Sequence, residues 1–236
     1  MGRICRNRLS RGCYHVYNRG NNAAWVLQHD ADRDRFLGIF QRLAAKYSVS
    51  VYHYCIMSNH FHFALSGEMS EISGLIGGVC SSYGKYWHGS HKNGYGPIWQ
   101  GRFKCILVQK ELYLNRLGRY IERNPLRAGI DGISRCEEYR WSSAGAYLTS
   151  AADPLVMPET HPYRSNWGST PEECRQNYAL YLNNDDQDDL MTFRSQKLCL
   201  GDDQFQSSFA LKSGRPHLRP GRPSPKAKLA AVINAE

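Results

Sequence analysis

The chain has 236 residues, 42% of them hydrophobic and 22% charged, which suits one buried core plus an appended segment and excludes a disordered chain. No apolar run approaches the roughly 18 residues of a membrane span, and no apolar core of a secretory signal follows the basic N-terminus, so a cytoplasmic protein without membrane contact is expected. The net charge of +9 is uneven: residues 1–150 carry 20 Lys and Arg against 10 Asp and Glu, residues 151–211 carry 4 against 10, and residues 212–236 carry 6 against 1.

Residues 12–19 alternate, with aromatic and β-branched content, and read as a first strand, broken by Gly20-Asn21-Asn22. Phe36, Ile39, Phe40 and Leu43 recur at three- to four-residue spacing and predict a helix over 30–46. Residues 49–57 are strand-like, Ser58 and Asn59 turn, and 60–65 alternate again, so 49–65 is a hairpin. A helix over 70–88 containing Gly74, Gly77 and Gly78, a strand over 98–108 and a helix over 111–124 stopped by Pro125 follow. The order β-α-β-β-α-β predicts an α+β, ferredoxin-like split sandwich. Its antiparallel sheet should be covered by helices on one face and open on the other.

Beyond it, residues 139–143 lead into a short helix near 142–148, and Thr170-Pro171-Glu172-Glu173 caps a helix over 171–183. The Gly-, Arg- and Pro-rich end builds no core and reads as an extended tail. The expected organisation is a folded body over 1–150, an acidic, partly helical extension over 151–211 and a basic mobile tail over 212–236. Such a charge layout points to a polyanion partner for the basic parts, or to a solvated surface with chance asymmetry. The acidic middle is free to lie against basic surface when no nucleic acid is bound. The eight cysteines never form Cys-x-x-Cys, which disfavours zinc ribbons and redox motifs. They read as reduced core thiols rather than disulfides.

Three stretches carry candidate chemistry. His60-Phe61-His62 places two imidazoles on one strand face roughly 7 Å apart, close enough to converge on a cation, with Phe61 facing the core. Two unliganded histidines on a half-exposed strand fit the same pattern. Tyr120 and Asn124 lie one helical turn apart, a nucleophilic oxygen beside an amide ligand; a core-edge tyrosine and an asparagine ending the helix before Pro125 is the alternative. Tyr113, two turns earlier, is the rival nucleophile. In Ile98-Trp99-Gln100-Gly101-Arg102-Phe103-Lys104, Arg102 and Lys104 would share a strand face suited to phosphates, while Phe103 and Cys105 pack.

Together these pieces resemble the HUH endonucleases, and within them the REP-associated tyrosine transposases, a group of single-tyrosine transposases. The matching stretches are Tyr14-His15-Val16-Tyr17-Asn18-Arg19-Gly20, Met57-Ser58-Asn59-His60-Phe61-His62 and Trp99-Gln100-Gly101-Arg102-Phe103-Lys104. Arg119-Tyr120-Ile121-Glu122-Arg123-Asn124-Pro125-Leu126-Arg127-Ala128-Gly129 and Tyr139-Arg140-Trp141-Ser142-Ser143 follow in the family's order, so the resemblance covers about 12–148. It implies that Tyr120 is the nucleophile, His60 and His62 are metal ligands, and Asn124 is a third, amide-bearing ligand. Mixed nitrogen and oxygen ligands with open positions suit Mg²⁺ or Mn²⁺. The implied activity is cleavage and rejoining of single-stranded DNA carrying a REP-like hairpin through a 5′-phosphotyrosine, by a nucleoid-associated monomer or homodimer. Arg19, Arg102, Lys104, Arg123, Arg127 and, in the tail, Arg215, Arg219 and Arg222 are the expected DNA contacts. Ser58 stands where proline is usual, Arg123 is not the commonest residue after Glu122, and Gly118 would loosen the tyrosine helix. A hairpin-binding regulator that no longer cuts, and an HUH replication initiator or relaxase, are the competing readings.

Overall fold

The structure, a computed structural model, describes residues 10–91, 95–149, 151–184, 189, 192–193 and 199–213. The predicted tail contacts Arg215, Arg219 and Arg222 lie outside these residues. The first six main elements follow the expected order: β1 (Gly12–Arg19), α1 (Asp30–Ala44), β2 (Ser50–Ile56), β3 (His60–Gly67), α2 (Met69–His91) and β4 (Lys104–Val108). After them come α3 (Lys110–Glu122), α4 (Asn124–Arg127), α5 (Ala144–Leu148), α6 (Pro171–Asn183), β5 (Cys199–Leu200) and a helix over Asp203–Ser213. The sheet runs β2-β3-β1-β4-β5, antiparallel except for the β4–β5 pair, which is parallel.

Strand alternation sorts the sheet into two faces. Tyr14 and Val16 of β1 and Phe61, Phe63 and Leu65 of β3 point toward α1 and α2 and are buried. Phe40 stacks on Phe63 at 4.5 Å between centroids, and Phe36 meets Phe61 at 5.1 Å. Each such side chain contributes about 1.5–3 kcal/mol on burial, so this layer drives the packing of α1. The hairpin closes through Met57 N–H donating to the His60 carbonyl at 2.8 Å.

The second face is not open, contrary to expectation. Leu114, Leu117 and Ile121 of α3 are fully buried, and α3 packs on β2, β3 and β1. Apolar surface on α3 needs cover, and the sheet face bearing His15, His53, Cys55, His62 and Ala64 supplies it. Beyond α3, α5 and α6 add an aromatic layer in which Trp167 meets Tyr178 at 4.2 Å and Tyr147 meets Tyr178 at 5.2 Å. The cap of α6 forms as expected, with Thr170 Oγ1 accepting from Glu173 N–H at 3.2 Å. The seven described cysteines are all free. Among the described residues no helix is long and apolar enough to cross a membrane.

Two boundaries differ from the sequence reading. The fourth strand covers only Lys104–Val108. Residues 98–103 are stitched to the end of β1 instead, Asn21 N–H donating to the Ile98 carbonyl at 2.7 Å and Gln100 N–H to the Arg19 carbonyl at 2.9 Å. Arg102 therefore precedes the strand and shares no strand face with Lys104. Pro125 does not stop α3, which ends at Glu122; it sits in the first turn of α4, where a missing N–H costs nothing.

A sealed carboxylate holds the end of α3. Glu122 is fully buried and accepts from His53 of β2 at 2.9 Å, from the Ser143 hydroxyl at 2.5 Å and from the Tyr178 hydroxyl of α6 at 2.6 Å. Gly118, one turn earlier, makes this approach possible: a Cβ there would stand 2.6 Å from the His53 ring. The glycine lets α3 close onto β2 rather than loosening it. Ser58 also has a partner, accepting from the Arg33 guanidinium at 3.0 Å. Gly→Ala inside a helix ordinarily gains about 1 kcal/mol. Here Gly118→Ala should instead lower unfolding stability by about 1–3 kcal/mol through overpacking, measured by urea denaturation. A variant as stable as the parent would contradict the close fit.

Candidate active site

His60 and His62 lie on the β3 face that α3 covers, their rings 5.1 Å apart and nearly perpendicular. His60 Nδ1 is 2.6 Å from Asn59 Oδ1, and the Asn59 amide nitrogen is used on the Ala23 carbonyl at 3.3 Å. The oxygen therefore accepts, His60 carries its proton on Nδ1, and Nε2 keeps a lone pair. His62 Nδ1 is 2.8 Å from His15 Nε2, leaving His62 Nε2 as its remaining ring nitrogen. Tying one ring nitrogen to the protein and turning the other outward is how histidine ligands are oriented.

Burial keeps all three imidazoles neutral. It lowers His60 to about 4, with Arg19 adding to the effect, and His15 to about 3. His62 falls well below the ordinary value, from burial first and then from His15, His60 and Arg127.

Tyr120 is 6% exposed, and its ring lies edge-on to His62 at 5.6 Å and His15 at 5.7 Å between centroids. Asn124 belongs to α4, yet its Nδ2 reaches back to the Tyr120 carbonyl at 2.9 Å and the Ile121 carbonyl at 3.0 Å. Its side chain also lies against the His60 ring. With the amide nitrogen engaged by two carbonyls, the amide oxygen is the atom turned to His60. Structure thus gathers His60, His62, Tyr120 and Asn124 although a helix boundary separates the last two. Two imidazoles and one amide oxygen are a donor set that fits a divalent cation. Tyr113 stands apart, its ring under the Arg116 guanidinium at 5.4 Å.

Three neighbours escaped the sequence reading. His15 and Tyr17 alternate along β1, and the register sets Tyr17 opposite His62 and Arg19 opposite His60. Tyr17 stacks on His15 at 4.9 Å and lies 5.7 Å from His62. The same period-two argument applied to β1 would have found both. Phe193, from the acidic extension, lies 5.2 Å from the Tyr120 ring and has no local signal.

The expected DNA contacts divide. Arg19, Arg102 and Lys104 are exposed, and the Lys104 ammonium lies 5.8 Å over the Tyr17 ring. Arg123 instead donates to the Leu182 carbonyl, and Arg127 donates to the Tyr120 carbonyl while its guanidinium lies 4.8 Å over the Tyr120 ring. Arg116 and Arg119 clasp the buried Asp189 carboxylate at 2.6 Å and 2.7 Å. The acidic middle does lie against basic residues at this point.

With the sheet, the paired histidines and the tyrosine helix in place, the chain can be set beside known proteins. Over residues 9–124 it matches a transposase family. The matching family is the IS200-like transposases. In fold it is similar to a solved REP-associated tyrosine transposase bound to a REP hairpin, with a TM-score of 0.50 and 14% identity, covering 66% of this chain and 92% of that one. No curated protein matches it in sequence.

The neutral histidines make stability depend on pH. His60 and His15 take up protons near 6.5 when unfolded but only near 4 and 3 when folded, so between those limits the unfolded state binds more protons. Stability is fully present above about pH 6.5 and declines as the pH falls toward 4 and 3. In chelator-treated protein, urea unfolding between pH 7 and pH 4 should show a shallower decline for His15→Gln than for the parent. Parallel curves would exclude this cause.

Proposed function

We propose that the chain is a metal-dependent, single-tyrosine DNA endonuclease and strand transferase acting on single-stranded DNA with a hairpin. The observation that carries the reading is the meeting of the Tyr120 ring with His62 and His15, while Asn124 donates to the Tyr120 carbonyl and lies against the His60 ring. The match to the IS200-like transposase family supports transposase chemistry, and the structural neighbour's bound REP hairpin supports DNA of that kind as partner.

In this reading the Tyr120 oxygen bonds to a backbone phosphorus, and the 3′ oxygen leaves and takes up a proton. The product is a 5′-phosphotyrosine and a free 3′-hydroxyl, and reversal by another 3′-hydroxyl rejoins strands without ATP. His60, His62 and Asn124 would hold Mg²⁺ or Mn²⁺, which neutralises charge on the non-bridging oxygens when bound. The exposed cations Arg19, Arg102 and Lys104 would position phosphates, and Tyr17 offers an aromatic face beside them. Burial between α3 and the sheet fixes the Tyr120 ring, and the Arg127 contacts hold its backbone and face. The folded body over 1–150 would carry the catalytic groups and the basic tail over 212–236 would add affinity.

Labelled hairpin oligonucleotide on a denaturing gel tests the assignment. Tyr120→Phe should abolish the covalent adduct and leave hairpin affinity nearly unchanged, since only a hydroxyl is lost. An adduct that persists moves the role to Tyr113 or Tyr17. His60→Ala and His62→Ala should each remove most Mg²⁺-dependent cleavage, and cleavage undiminished in both would reject the ligand assignment.

A further inference from the structure

On the other side of the sheet, His29, Asp32 and His91 bring three ligand atoms within 4.8 Å of one another. His29 caps the N-terminus of α1, Asp32 lies in its first turn, and His91 is the last residue of α2. Histidine is an unusual choice at a helix N-cap, where Ser, Thr, Asp or Asn is preferred.

The protonation pattern of His91 makes the cluster informative. Its Nδ1 is 3.2 Å from the Trp87 carbonyl, which can only accept, so Nδ1 carries the proton. The other nitrogen, Nε2, then presents a lone pair to the Asp32 carboxylate, 3.2 Å from Oδ1 and 3.3 Å from Oδ2. Two acceptors at that distance must share either a proton or a metal ion. Asp32 is 2% exposed, and a buried carboxylate requires a counter-charge. Arg33 does not provide it, because its guanidinium is directed to Asp30 and Ser58, each at 3.0 Å. Tyr86 hydroxyl and His29 N–H donate to the two carboxylate oxygens at 3.3 Å each, which leaves the charge itself unmatched.

We propose that His29, Asp32 and His91 form a second metal site, taking a borderline transition-metal dication such as Zn²⁺. Two imidazoles and one carboxylate are a zinc-type donor set, distinct from the hard oxygen ligands that Mg²⁺ prefers. Ligands at about 2.0–2.1 Å in a tetrahedron stand about 3.3 Å from each other, the separation His91 Nε2 and Asp32 already have. The bond from Nδ1 to the Trp87 carbonyl is the outer contact that orients a histidine ligand. Trp87 also stacks on His91 at 5.1 Å and 11°, which fixes the ring plane. His29 is exposed and its ligand nitrogen lies within 4.8 Å of the other two ligand atoms, which leaves the fourth position to water. The ion would staple the start of α1 to the end of α2. Nothing in this site depends on Tyr120 or on DNA cleavage.

The test uses the full chain carrying His60→Ala and His62→Ala, stripped of metal and titrated with Zn²⁺ by calorimetry. One equivalent should bind and raise the midpoint of thermal unfolding. Adding His91→Gln should remove that equivalent, and His29→Ala should weaken it by more than the roughly 10- to 100-fold that loss of an outer contact costs. In the parent chain with both histidines of β3 intact, His91→Gln should lower the Zn²⁺ stoichiometry by one, so a poorly folded double variant does not shelter the proposal. Absence of Zn²⁺ binding in the folded double variant, or stoichiometry unmoved by His91→Gln in the parent chain, overturns it and leaves a shared proton between His91 and Asp32.

Discussion

Glu122 is a carboxylate with no access to water, and the geometry around α3 follows from satisfying it. Its three donors come from β2, from the turn before α5 and from α6, so the charge joins elements far apart in the chain. The donor on β2 is itself set by a longer chain. Tyr163 N–H donates to His161 Nδ1 at 3.2 Å, so the His161 proton is on Nε2, which faces His53 Nε2 at 3.2 Å. His53 accepts there and gives its own proton to Glu122. Burial drives His161 down to about 2, so its ring enters the relay neutral. Removing one partner would leave a buried charge short of a donor, a loss of about 3–5 kcal/mol in such settings. Tyr120 and Asn124 sit two residues on either side of this anchor, and their placement depends on it.

The same sheet face thus holds two histidine groups with opposite logic. Around Glu122 each buried polar side-chain atom has a protein partner, which is the condition for a rigid interior. Around His60 and His62 one ring nitrogen of each is tied and the other is turned to Tyr120 and Asn124. For His62 Nε2 to ligate a cation, Nδ1 must donate to His15 Nε2, and His15 then carries its proton on Nδ1, a buried atom without a partner. An orphaned donor costs more than an orphaned acceptor. The second sphere is therefore satisfied best in a tautomer that a bound cation would have to reverse, and His15 bears that cost.

The fold was legible where the pattern is local. Alternation in residues 12–19 and 49–65 and the Phe36, Ile39, Phe40 stripe recover β1, the hairpin and α1 because each periodicity has one face against the core. Residues 98–103 misled because Ile98, Trp99 and Phe103 have strand composition, while their hydrogen bonds go to the end of β1 rather than along β4. Pro125 read as a stop because its place in a new first turn depends on the break at Arg123. Covering of the second sheet face was invisible, since the partners of Glu122 lie at 53, 143 and 178. At the candidate site, the His60–His62 spacing and the Tyr120–Asn124 spacing could be read; Phe193 could not, because only tertiary folding brings it to Tyr120.

The clasp of Asp189 between Arg116 and Arg119 has a consequence for how ionic strength is felt. When cationic side chains neutralise phosphates, cations condensed on the polyanion are released, and affinity falls steeply with salt. At these two guanidiniums the anion already present belongs to the chain. A phosphate arriving there must first displace a tethered carboxylate, and while the clasp holds no phosphate is neutralised and no condensed cation leaves. Counting every arginine of α3 would therefore overstate the salt sensitivity of any polyanion bound along that helix. The discount is set by one side chain whose own removal would return Arg116 and Arg119 to the solvent atmosphere.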